Sequence, residues 1–132
     1  MSSSDQRTTQ DKLRLFKRLF SGLKNVYGTY DPRSGRARQV KAQVTDSTFL
    51  AHLTGKQPYG VYLLVKDKTR AVVVDFDTDD RSLPSEFEGK SKHYGLSAHI
   101  ERSKSKGHHV WIFFSEEGVS ARKARLVVHH IL

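Results

Sequence analysis

Cysteine is absent from this chain of 132 residues, which removes disulfides, thiolate zinc sites and thiol nucleophiles from the chemistry to be considered. Long apolar runs are absent too: no stretch approaches the ~20 residues needed to cross a bilayer, so no membrane span or membrane partner is expected. The opening segment MSSSDQRTTQ has no hydrophobic signal core and reads as a short disordered leader over residues 1–10, with the cytoplasm as the default location. Residues 11–132 contain no internal repeat or linker and read as one domain, long enough for a core but small for a complete polymerase. Acidic residues are the scarcer charge, Asp+Glu 14 against Lys+Arg 23, for a net charge of +9. That excess favours an anionic partner, nucleic acid foremost, although a basic balance alone also occurs in proteins without such a ligand.

Hydrophobic spacing predicts a mixed α/β (α+β) chain. Leu13, Phe16, Leu19, Phe20 and Leu23 lie on one helical stripe from Asp11 to Lys24, with Thr8 and Asp11 as a capping signal and Gly22 at the end. Tyr27 to Gln43 reads as a hairpin whose turn is Asp31-Pro32-Arg33-Ser34-Gly35; Arg36, Arg38 and Lys41 at its basic end are candidates for template binding. A short helix from Asp46 to Leu53, capped by Thr45 or Asp46, stops at Gly55. Gly60–Val65 and Arg70–Asp77 read as paired strands around the polar turn Lys66-Asp67-Lys68-Thr69. A helix from Pro84 to Gly95, strands Leu96–Ser103 and His108–Phe114, and a last helix from Ser120 to Leu132 complete the order.

Two stretches carry chemistry. In AVVVDFDTDD, a β-branched run ends in Asp75 and Asp77, whose i, i+2 spacing in a strand turns both carboxylates to one face, ~7 Å apart at the backbone. They can share a metal centre, and hard oxygen donors favour magnesium or manganese over zinc. An isolated pair of this kind is more often two solvated aspartates at a strand end. In ERSKSKGHHVWIFF, Ser103 and Ser105 offer hydroxyls, Lys104 and Lys106 offer charge, and Gly107 lets backbone approach a ligand, the makings of a phosphate cradle. Alternation places His109 with Trp111 and Phe113, and His108 with Val110, Ile112 and Phe114, so only one histidine faces the site. Asp75, Asp77 and His109 together suit nucleotidyl transfer by divalent metal, with His109 on phosphate rather than on metal. Trp111, Phe113 and Phe114 are expected in the core.

These segments, with LFKRLFSGLKNVYG and HLTGKQPYGVYLLVKD, resemble the archaeo-eukaryotic primase superfamily, specifically primase domains of TOTE conflict systems, over roughly Leu15 to Leu132. The resemblance implies an RRM-like catalytic core, mainly an antiparallel sheet backed by helices. It matches Asp75 and Asp77 to the family's DxD metal ligands and His109 to its motif histidine, with Ser103, Lys104 and Ser105 as nucleotide contacts. It implies primer synthesis in DNA replication from nucleoside triphosphates on a nucleic acid template, with Mg2+ or Mn2+ as cofactor and helicase and nuclease domains or subunits as further partners. Two departures stand out. The family loop has a serine followed by two spaced glycines before the histidine, whereas here Lys106 and one fewer residue leave only Gly107. A third carboxylate is expected on a strand after the last helix, so the domain reads as incomplete at its C-terminus.

Two rivals are a non-catalytic nucleic-acid-binding remnant of such a domain and a metal-dependent nuclease. A rolling-circle initiator is excluded, because its two metal-binding histidines flank one residue whereas the adjacent His108 and His109 diverge in a strand.

Overall fold

The computed structural model describes residues 7–104 and 106–132; residues 1–6 of the expected leader and Ser105 lie outside them. The backbone divides into two compact units, the first ending at Tyr62 and the second starting at Leu63.

In the first unit, helix α1 (Thr9–Leu19) begins inside the span expected to lead into it. Thr8 and Asp11 form a reciprocal capping box: Asp11 N–H donates to Thr8 Oγ1 at 3.1 Å, and Thr8 N–H to Asp11 Oδ2 at 3.2 Å, which satisfies two donors that the first helical turn leaves open. Those hydrogen bonds hold the Asp11 carboxyl below its usual range. The helix stops short of the predicted Lys24 because a long-range contact takes the chain away. Leu23 N–H donates to the Tyr62 carbonyl at 2.9 Å, and Gly22 passes so close to Tyr62 that a Cβ would collide with its carbonyl oxygen. Strands β1 (Tyr27–Tyr30) and β2 (Ala37–Val40) form the expected hairpin. Helix α2 (Asp46–Leu53) starts after Thr45, whose N–H donates to Thr48 Oγ1, and gives way at Gly55, φ 77°. Phe16, Phe49, His52 and Tyr59 pack ring against ring between the two helices and the stretch after α2, and burial pushes the Tyr59 hydroxyl pKa up.

In the second unit the expected Gly60–Val65 strand is not formed. Gly60 makes a lone bridge to Gly28 within the first unit, Val65 bridges only to Lys68, and Leu64 and Val65 are exposed. An apolar run becomes a strand only where a ladder partner exists. Here the two-residue strand β3 (Lys68–Thr69) pairs instead with β7 (Val119–Ser120). Strand β4 (Ala71–Phe76), helix α3 (Ser82–His93), and strands β5 (Ser97–Arg102) and β6 (His108–Phe113) build the main sheet, in the order β4-β6-β5 and antiparallel throughout. β6 thus splits a β4-α3-β5 crossover. Helix α4 (Ala121–Ile131), capped by Ser120 Oγ accepting from Lys123 N–H, comes last.

α3 is set up by Asp80, whose carboxylate accepts the Ser82 N–H at 2.9 Å and is thereby held below its usual range. Glu86–Lys90 and Glu88–Lys92 pairs support its exposed side, and Gly95, φ 79°, ends it. Phe87, Ala98, Val110, Ile112 and Ile131 form the buried core, so both helices cover one face of the sheet. The expected sheet backed by helices is present.

Truncating Phe87, 3% exposed, removes the ring that joins α3 to the sheet. Phe87→Ala is expected to cost about 3–5 kcal/mol in urea unfolding followed by circular dichroism. Leu126→Ala, on the exposed side of α4, should change stability by less than about 0.5 kcal/mol.

Candidate active site

Alternation along β6 separates two faces. His108, Val110 and Ile112 are buried under the helices, while His109, Trp111 and Phe113 are half-buried on the outer face. Trp111 and Phe113 therefore do not join the helix-covered core expected of them. They lie parallel, with centroids 5.9 Å apart and planes 6° apart, whereas Phe114 does pack against the core.

Register does the rest. Asp75 on β4 and Glu101 on β5 both pair with His109, so the three side chains form one row across the outer face. Asp75 Oδ1 stands 3.7 Å from His109 Nε2, with the Asp75 side chain 73% exposed and that of His109 31%. On the other side of the ring, His109 Nδ1 is 2.9 Å from Glu101 Oε1, which also accepts the Trp111 indole N–H at 3.3 Å. Asp77 lies just beyond the end of β4 and is exposed. Glu101 is not among the residues singled out from the sequence. A signal for it exists: a hairpin closing around residues 103–107 must pair position 101 with 109, and parity then sends both to one face.

In the loop between β5 and β6, Gly107 departs from its expected role. Ser103 N–H donates to the Gly107 carbonyl at 3.0 Å and closes the hairpin. Gly107 adopts φ +89°, and a Cβ there would collide with the Phe76 carbonyl oxygen. Its N–H is given to Asp79 Oδ1 at 3.1 Å. The glycine thus admits the neighbouring strand's backbone, not a ligand, and its amide is already engaged. A second clamp lies beside it, where His108 Nδ1–H donates to the Thr78 carbonyl at 3.1 Å, and Arg102 approaches Asp79 at 3.9 Å. Together these contacts tie the segment after Asp75 to the loop before His109. Ser103 is half-buried, and Lys104 and Lys106 are exposed on that loop. Arg36, Arg38 and Lys41 are exposed on the hairpin of the first unit.

Among the described residues, no group of three or more His, Asp or Glu side chains is placed to hold a metal ion. A dedicated protein cage is therefore not what the row provides. Two exposed carboxylates at one strand end fit the other mode, in which magnesium keeps several waters and takes one or two carboxylates together with substrate phosphates. A cleft of about 190 Å³ lined by Phe76, Leu83, Phe87 and Ile131 opens on the helix side of the sheet and is not part of this row.

A family model described as TOTE conflict system, Archaeo-Eukaryotic Primase domain matches residues 30–132. No curated protein matches the chain. Among the described residues, no helix is long and apolar enough to cross a membrane.

Gly107→Ala tests the clamp. The left-handed backbone and the collision with Phe76 should lower stability by at least about 2 kcal/mol. An unchanged urea midpoint would show that the two loops do not depend on this approach.

Proposed function

This chain belongs to the TOTE conflict system archaeo-eukaryotic primase domain family, and on that premise we propose that it is the nucleotidyl-transfer domain of a primase or primase-polymerase. Its substrates would be nucleoside triphosphates, added on a nucleic acid template. The observation that carries this reading is the placement of Asp75 directly across from His109, carboxylate and imidazole 3.7 Å apart on the outer face of the sheet.

Each residue then has a task. Asp75 and Asp77 would hold Mg2+ or Mn2+, whose chemistry when bound is to neutralise the triphosphate and lower the pKa of the attacking hydroxyl. His109 presents Nε2 beside Asp75, where as an N–H donor it would meet phosphate oxygens. Ser103 and Lys104, with Ser105 next in sequence, would supply hydroxyls and positive charge to the nucleotide, the lysine acting as a point charge. Arg36, Arg38 and Lys41 offer exposed cations to a template backbone, a contact that carries affinity without sequence preference. Helicase and nuclease domains or subunits would act alongside it, in the cytoplasm where nucleoside triphosphates are found.

One observation favours a second reading. With no three-ligand group among the described residues, a non-catalytic nucleic-acid binder of the same fold is the natural competitor.

A primer-synthesis assay on single-stranded DNA with labelled nucleotides and manganese separates them. Incorporation is expected, and Asp75→Asn or Asp77→Asn should lower it on the order of 100-fold or more. Calorimetry should show manganese binding that the Asp75→Ala, Asp77→Ala double variant abolishes. Equal binding by that variant rejects the metal site, binding of DNA without incorporation supports the non-catalytic reading, and strand degradation without incorporation points to a nuclease.

A further inference from the structure

We propose that Glu101 is the positioning residue for His109: its carboxylate accepts the Nδ1–H and fixes the ring plane, so that the other nitrogen, Nε2, is the one turned toward Asp75, from where, carrying its own proton, it donates to an incoming phosphate. This rests on the reading that His109 contacts the triphosphate.

A histidine on a sheet face rotates about its Cβ–Cγ bond, and each half-turn exchanges which nitrogen faces a given side. Glu101 removes that freedom. It is the cross-strand partner of His109 on β5, just as Asp75 is on β4, so the ring stands between two carboxylates with a different nitrogen toward each. Nδ1 lies 2.9 Å from Glu101, within hydrogen-bond distance, while Nε2 lies 3.7 Å from Asp75, beyond it. A carboxylate only accepts, so the proton on the shorter contact belongs to Nδ1. Glu101 is itself held, because the same Oε1 accepts the Trp111 N–H at 3.3 Å and Trp111 is parallel to Phe113. The outer-face order runs from Phe113 through Trp111 and Glu101 to His109, and ends at Asp75.

A stability role does not explain this arrangement. The Glu101 side chain is 54% exposed, and ion pairs at such exposure contribute little to folding. Partners of this kind act by orienting the group that does the binding.

The single tryptophan of the chain is Trp111, hydrogen-bonded to Glu101, so its fluorescence reports on the site without a label. The full chain would be titrated with adenosine triphosphate in manganese. Glu101→Ala should weaken binding by about 10-fold or more, and Glu101→Gln, whose amide oxygen still accepts, should stay within about threefold. On a His109→Ala background, Glu101→Ala should cost nothing further, because it acts only through the imidazole. Nuclear Overhauser contacts of the His109 ring protons should show a single ring orientation in the parent and in Glu101→Gln, and two orientations in Glu101→Ala.

If His109→Ala weakens binding but Glu101→Ala does not, positioning is overturned while the phosphate-contact reading survives. An equal loss from Glu101→Ala with and without His109 also overturns it, as does a Glu101→Gln variant as weak as Glu101→Ala. If His109→Ala binds like the parent while Glu101→Ala still frees the ring to take two orientations, the phosphate-contact reading fails and the ring lock stands.

Discussion

The pairing register of β4 against β6 is the constraint that generates the site. With Val74 opposite Val110 and Asp75 opposite His109, every second residue of both strands goes under the helices and every other one goes outward. A slip of β6 by one residue would turn Val110 and Ile112, both fully buried, out to the surface and drive His109 into the core, away from Asp75. The apolar face therefore enforces the polar one. Hydrophobic burial on the helix side, through Phe87, Ala98 and Ile131, decides where a carboxylate and an imidazole meet on the other side.

Two adjacent histidines show how sharply alternation divides roles. His108 is 3% exposed, a burial that an imidazole tolerates only with its polar atoms matched, and its Nδ1–H finds the Thr78 carbonyl. His109, one residue on, stands half-exposed between Asp75 and Glu101. The first fastens the β4–α3 loop, which keeps the chain after Asp75 in place, and the second is left on the outer face. Asp79 has the same fastening role from the other side, through Gly107 N–H and Arg102.

Periodicity is enough to read what depends on neighbours in sequence or on parity. The hairpin around Gly35, the helix from Asp46, the β5–β6 hairpin and the two faces of β6 are legible because each is decided by local turn chemistry or by a period of two. What stays hidden depends on distant partners. Leu23 leaves the helical stripe because the Tyr62 carbonyl takes its N–H, and nothing near Leu23 announces that. The run from Gly60 to Val65 has strand composition but no ladder beyond lone bridges, so composition alone misleads. Gly107 reads as room for a ligand and is room for Phe76; a glycine advertises a close approach without saying what approaches. Glu101 carries no motif of its own, and only the hairpin register, not the aspartate pair on β4, implies its place.

The charge of the row constrains how the proposed site could work. Asp75, His109 and Glu101 lie side by side, and Asp77 sits just past the end of β4. One imidazole thus stands among three carboxylates, and the exposed cations nearest in sequence are Arg102, Lys104 and Lys106. Arg102 pairs with His108 rather than His109 and leans toward Asp79, so it adds nothing to the outer row. A polyphosphate arriving at this face meets like charge at each aspartate, a repulsion that grows as water is displaced. A divalent cation reverses that sign, since it gives both the aspartates and the phosphate a shared counter-charge. On the proposed reading, nucleotide affinity at this face is therefore conditional on the metal, and His109 alone would not retain the nucleotide. On the same proposed reading the basic hairpin of the first unit would take a different ligand, because Arg36, Arg38 and Lys41 need no metal to attract a nucleic acid backbone.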